Sequence, residues 1–145
     1  MRPLLPVLAA ALLAGCGSPP EREIDDAWVR LPAVKGRPAV AYFTVRGGPT
    51  DSTIIAATSD VSIRSEMHES MKTGGMMTMA PLASVRVPAK ADVRFEPGGK
   101  HVMLYDLNPG IVRGGRPVLL TLSFSDGVRI SRKANVFGAG DPAPE

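Results

Sequence analysis

Residues 118–136 read VLLTLSFSDGVRISRKANV, and the reading of this stretch decides the fold class. Val118–Phe124 and Val128–Val136 are short runs rich in apolar and β-branched side chains, and Ser125-Asp126-Gly127 between them is a tight-turn sequence. Two strand-like runs separated by so short a glycine-containing linker form a hairpin. Seven further runs of this kind lie upstream: Ile24–Leu31, Ala39–Arg46, Thr53–Thr58, Val61–Met71, Met76–Leu82, Asp92–Phe95 and His101–Leu107. They are broken by Gly47-Gly48-Pro49, Gly74-Gly75, Pro97-Gly98-Gly99, Asn108-Pro109-Gly110 and Gly114-Gly115. No segment carries an amphipathic helical period. Many short, regularly spaced strands predict an all-β domain, a sandwich or barrel of Greek-key type.

The 145 residues allow one domain with one core. Aromatics are sparse (Trp28, Tyr42, Phe43, Phe95, Tyr105, Phe124, Phe137), so the core must rest on Val, Leu, Ile and Ala, with Trp28 expected among them. The formal charge is +3, and +2 without residues 1–15, which carry one Arg and no acid. Basic residues are scattered, which argues against nucleic acid as a partner and against a polybasic membrane patch.

The chain opens with MRPLLPVLAAALLAGC, in which Arg2, an apolar run and small residues make an export signal. The run, roughly a dozen residues, is shorter than the ~20 a helix needs to span a bilayer. Leu13-Ala14-Gly15-Cys16 resembles the bacterial lipoprotein box. That resemblance implies cleavage before Cys16, a lipid on its sulfur, and a periplasmic domain anchored to a membrane. The expected organisation is a signal peptide over residues 1–15, a tether over 16–23, the β-sandwich domain over 24–137 and a disordered tail over 138–145. Cys16 is the only cysteine, so the domain itself has no thiol for a disulfide, a nucleophile or a blue-copper thiolate.

Both histidines and six of the seven methionines fall between Met67 and Met103. Thioether and imidazole are neutral, soft-to-borderline donors, and a site built from them favours Cu(I) over hard cations. In His101-Val102-Met103-Leu104-Tyr105, alternate side chains share a strand face, so His101 and Met103 point the same way, about 7 Å apart along the backbone. Ser65–Pro81 reads as a hairpin about Lys72-Thr73-Gly74-Gly75. Pairing Met71 with Met76 sets His68 directly opposite Met79, with Cβ atoms about 4.5–5.5 Å apart. His68, Met79, His101 and Met103 together suit one tetrahedral Cu(I). Met67, Met71, Met76 and Met77 read as core filler or a soft docking rim, Met77 being the spare donor on the ligand face. Glu66 and Glu69 read as solvated carboxylates, either of which could orient His68. Tyr105, on the face of His101 and Met103, reads as a packing wall, with support of a ligand from behind as the other reading.

The order His68, ten residues, Met79, twenty-one residues, then His101-x-Met103 resembles the motif of the periplasmic PCu(A)C copper chaperone family. The flanking Glu66-Met67-His68-Glu69, the run Phe95–Leu104 and Leu120–Phe124 resemble that family too. The resemblance covers roughly Asp26 to Val136. It implies a cupredoxin-like β-sandwich that holds Cu(I) on His68, Met79, His101 and Met103. It also implies delivery of copper to a haem–copper respiratory oxidase, often together with thiol-bearing Sco proteins. The His- and Met-rich tail of some members has no counterpart in Gly138–Glu145. The sequence has no zinc-protease helix, no Gly-x-Ser-x-Gly and no phosphate loop, so an enzyme is not expected. The rival reading is a metal-independent structural or adhesive envelope lipoprotein.

Overall fold

The computed structural model describes residues 21–108, 110 and 116–145. The signal segment, Cys16 and most of the tether therefore lie outside the described residues. Ten strands are described: β1 (Glu23–Arg30), β2 (Ala39–Arg46), β3 (Ser52–Ser59), β4 (Ser62–Thr73), β5 (Met76–Pro81), β6 (Val85–Val87), β7 (Asp92–Phe95), β8 (Lys100–Leu107), β9 (Val118–Phe124) and β10 (Arg129–Phe137). Nine match the expected runs to within one or two residues at each end. Only β6 was not anticipated, since three residues are too few to show a period.

The strands form two sheets. One runs β5-β4-β8-β2-β1, with β7 paired to β2 and touching the start of β8. The other runs β10-β9-β3-β6. They join where the end of β10 lies parallel to β1, pairing Trp28 with Asn135 and Arg30 with Phe137. The predicted β9–β10 hairpin forms, with Gly127 at φ +87° in its turn.

Alternation along each strand sends one set of side chains between the sheets. Ala39, Ala41, Phe43 and Val45 of β2 point inward, as do Val102 and Leu104 of β8, Met67 of β4, and Val118, Leu120, Leu122 and Phe124 of β9. Phe43 stacks on Phe95 with ring centroids 4.4 Å apart. Each fully buried Val, Leu, Ile or Phe contributes about 1.5–3 kcal/mol relative to its exposed state, so this Val- and Leu-rich interior stabilises the domain without many aromatics.

Trp28 is buried but not in that core. Asp26 sits at φ +50°, in a bulge where the β1–β2 register shifts between Asp25 and Trp28. The extra residue inverts the strand's parity, so Val29 faces the core and Trp28 the outer side. There Tyr42 covers it at 4.5 Å between centroids, Phe137 edge-on at 5.8 Å and the Arg30 guanidinium at 5.1 Å. Arg30 also donates to the carbonyls of Gly138 (3.1 Å) and Asp141 (2.8 Å). The segment expected to be disordered from Gly138 thus begins with a turn tied to β1, closed by the Gly138 N–H on the Asp141 carboxylate at 2.6 Å.

Candidate metal centre

Register places the donors. Across β4 and β8, Met67 pairs with Val102, His68 with His101 and Glu66 with Met103. Met67, Val102 and Leu104 belong to the core, so His68, His101 and Met103 share the opposite face. The two imidazoles are direct cross-strand partners, 5.9 Å between centroids and nearly perpendicular at 87°. Each was expected to pair with a methionine; their pairing with each other was not foreseen, because local periodicity carries no record of β4 lying beside β8.

The β4–β5 hairpin corrects the expected register. Gly74 and Gly75 both lie in the left-handed region, at φ +58° and +83°. Two consecutive residues of that kind close a two-residue turn, which side chains with a Cβ adopt only with strain. The arms therefore reach Thr73 and Met76, and Ser70 stands opposite Met79 while His68 stands opposite Pro81. A shift of two residues preserves the face, so Met79 still shares the side of His68, as its diagonal neighbour. Met77 pairs with Lys72 on that face, and Met76 and Met71 lie on the other.

Hydrogen bonds assign the imidazole nitrogens. His101 Nδ1 lies 3.0 Å from the Gly99 carbonyl, which can only accept, so Nδ1 carries the hydrogen and Nε2 keeps its lone pair. The same carbonyl oxygen accepts the Ser70 N–H at 3.0 Å, joining the hairpin to the turn before β8. His68 Nε2 lies 3.2 Å from the Glu66 carboxylate and donates to it. Its Nδ1 is then the lone-pair nitrogen, and it is buried with no hydrogen-bond partner among the described residues. Leaving such a group unsatisfied costs about 1–3 kcal/mol.

Glu66 is held in turn by Arg64, whose guanidinium lies 3.9 Å over the Tyr105 ring. Burial, and then the nearby Glu66 charge, push the Tyr105 hydroxyl above its usual range. Tyr105 thus packs under the Arg64 guanidinium that holds Glu66. Neither carboxylate is merely solvated: Glu66 orients His68, and Glu69 takes the Lys100 ammonium at 3.0 Å.

Met103, half-buried, stands two residues from His101 between Val40 of β2 and Glu66 of β4. Met79 is exposed, as are Met71, Met76 and Met77, and Met67 fills the core. Among the described residues no group of three or more His, Cys, Asp or Glu side chains is placed to hold a metal ion. The donor set on this face is two imidazoles with thioethers beside them.

Known proteins share both sequence and fold with this chain. The profile of the LpqE-like family matches residues 23–136. Lxx21020 of Leifsonia xyli subsp. xyli, which carries a lipoprotein name, is 31% identical over 106 residues, or 72% of this chain. The chain spans 63% of the length of that relative. Among solved structures, the copper-bound PCuAC domain from PmoF2 superposes with a TM-score of 0.63 at 22% identity, over 83% of this chain and 96% of that one. The Cu(I) form of DR1885 from Deinococcus radiodurans gives 0.59 at 24% identity, over 87% and 84%. These likenesses establish the fold: the cupredoxin-like β-sandwich anticipated from the sequence.

Proposed function

The chain belongs to the LpqE-like family, and from that premise we propose that its domain is a Cu(I)-binding metallochaperone held at the membrane surface of the periplasm. One observation carries the reading. On a single sheet face, His68 offers a buried Nδ1 that nothing among the described residues satisfies, and the facing His101 ring keeps its Nε2 free by donating through Nδ1 to Gly99. Met103 and Met79 on the same face complete four neutral donors. Zinc sites draw on thiolate, imidazole and carboxylate. This domain has no thiol, and Glu66 and Glu69 are engaged by Arg64 and Lys100, so soft Cu(I) is the better match. The structural neighbours that carry copper, one of them as Cu(I), support the same assignment.

The chemistry is binding and release. Neutral donors leave the ion its full positive charge, and a thiolate-bearing acceptor draws it onward. A haem–copper oxidase subunit or a Sco-like thiol protein has that character. The lipid on Cys16 would keep the domain near membrane-embedded acceptors, and two or more acyl chains make such an anchor stable. Anaerobic titration against a chromophoric Cu(I) chelator tests the reading. One Cu(I) per domain is expected, without blue absorption and lost in a His68→Ala/His101→Ala variant. No uptake would overturn it in favour of a metal-independent structural lipoprotein.

A further inference from the structure

We propose that Met77 and Met79 form an outer thioether pair through which Cu(I) reaches and leaves the His68–His101 pair, an inference that rests on the Cu(I) reading of that site. The two methionines alternate along β5 and so share one face, which is also the face of the histidines. From the hairpin tip inward, the cross-strand rows are Met77 with Lys72, Met79 with Ser70, then Pro81 with His68 and His101. Successive rows are about 7 Å apart, two residues of strand rise.

Exposure falls along the same line. Met77 is 61% exposed and Met79 58%, whereas the His68 side chain is 13% exposed and His101 5%. A protein that donates or accepts copper therefore has access to the thioethers and not to the imidazole nitrogens. Methionine has three rotatable bonds and a polarizable sulfur, so neighbouring side chains of this kind can bend toward one ion. Cu(I) moves by ligand exchange. A Cu–S bond to Met77 breaks as a Cu–N bond to an imidazole forms, and copper stays Cu(I). No proton has to leave, because His68 Nδ1 and His101 Nε2 already carry lone pairs.

The outermost position is built for passage and not for storage. Lys72 stands opposite Met77, and its ammonium disfavours a resident cation there. Two thioethers alone are also a poorer donor set than imidazoles joined by thioethers, so binding tightens inward. Met76 and Met71, also exposed but on the other face of the hairpin, serve as internal controls.

The test is stopped-flow transfer of Cu(I) between bicinchoninate and the full-length protein, in both directions and without oxygen. Met77→Leu is expected to slow uptake and release alike, several-fold, with the equilibrium affinity unchanged; Met76→Leu is expected to transfer at the wild-type rate. Circular dichroism checks that each variant is folded. A wild-type rate in Met77→Leu, or equal slowing in Met76→Leu, would overturn the proposal. Failure of the underlying reading looks different. There the wild-type protein takes up no Cu(I), or His68→Ala/His101→Ala takes up as much as wild type, and both inferences fall together.

Discussion

Glu66 and His68 stand two residues apart on one face of β4, with the carboxylate 3.2 Å from Nε2. The carboxylate thereby settles which nitrogen of the ring is free to bind. It ties the hydrogen to Nε2 and turns the lone pair of Nδ1 into a buried site that lacks a partner among the described residues. Arg64 holds Glu66 from the other side, so the orientation does not depend on one contact.

Glu66→Ala is therefore expected to weaken Cu(I) binding by roughly 10–100-fold, the usual effect of removing a group that orients a ligand, while the fold survives. Competition titration measures the affinity and thermal denaturation checks the fold. Unchanged affinity would mean that Glu66 does not set the His68 tautomer.

The ligand set makes a graded prediction. Met103→Leu and Met79→Leu should each weaken Cu(I) and cost under about 1.5 kcal/mol of stability, because leucine nearly conserves the volume. Removing both histidines should abolish tight binding. Met76→Leu, on the other hairpin face, should leave affinity at the wild-type value. If Met76→Leu weakened binding as Met79→Leu does, the placement of Met79 with the histidines would be wrong.

The turn at the hairpin tip is a third point of test. Gly75 lies at φ +83°, so Gly75→Ala is expected to destabilise the protein by about 1–2 kcal/mol through the clash of its Cβ with the backbone. Because this turn sets the partner of Met79, Cu(I) affinity should fall toward that of Met79→Leu. Thermal melts and chelator competition, run on the same samples, read both effects.

Acid stability has a defined origin in the turn between β9 and β10. The Arg22 guanidinium beside Asp126, and then the Val128 N–H, lower its carboxyl from 3.8 to about 2. A group depressed in the folded state stabilises above its unfolded value, and that contribution is lost as the pH falls through the folded one. Asp126→Asn should therefore melt below wild type at pH 7. The gap should shrink as the pH falls from about 4 toward 2. A gap that stayed constant across this window would assign the loss to something other than the carboxylate's charge.

Strands whose faces alternate cleanly were legible from the residues alone. Ala39–Arg46, Asp92–Phe95 and Val118–Phe124 begin and end where the sequence places them. What escaped has local physical causes. Trp28 is buried, as expected, yet outside the inter-sheet core, because Asp26, a non-glycine residue, takes a left-handed φ and inverts the parity of β1 without any glycine to signal it. The hairpin register was off by two because Gly74-Gly75 closes the turn without Lys72 and Thr73. All four candidate donors still fell on one face, since an even shift leaves the pleat unchanged. The facing of His68 and His101 needed contacts between strands far apart in the chain, which no short-range pattern encodes.

The projecting hairpin also sets an order of chemical vulnerability. Met71, Met76, Met77 and Met79 lie open to solvent while Met67 is enclosed, so peroxide reaches the hairpin sulfurs first. A sulfoxide exchanges a soft sulfur donor for a harder oxygen, and reductases can reverse the change. Oxidative damage to this protein would thus begin as a reversible loss of metal affinity, with the β-sandwich still folded beneath it.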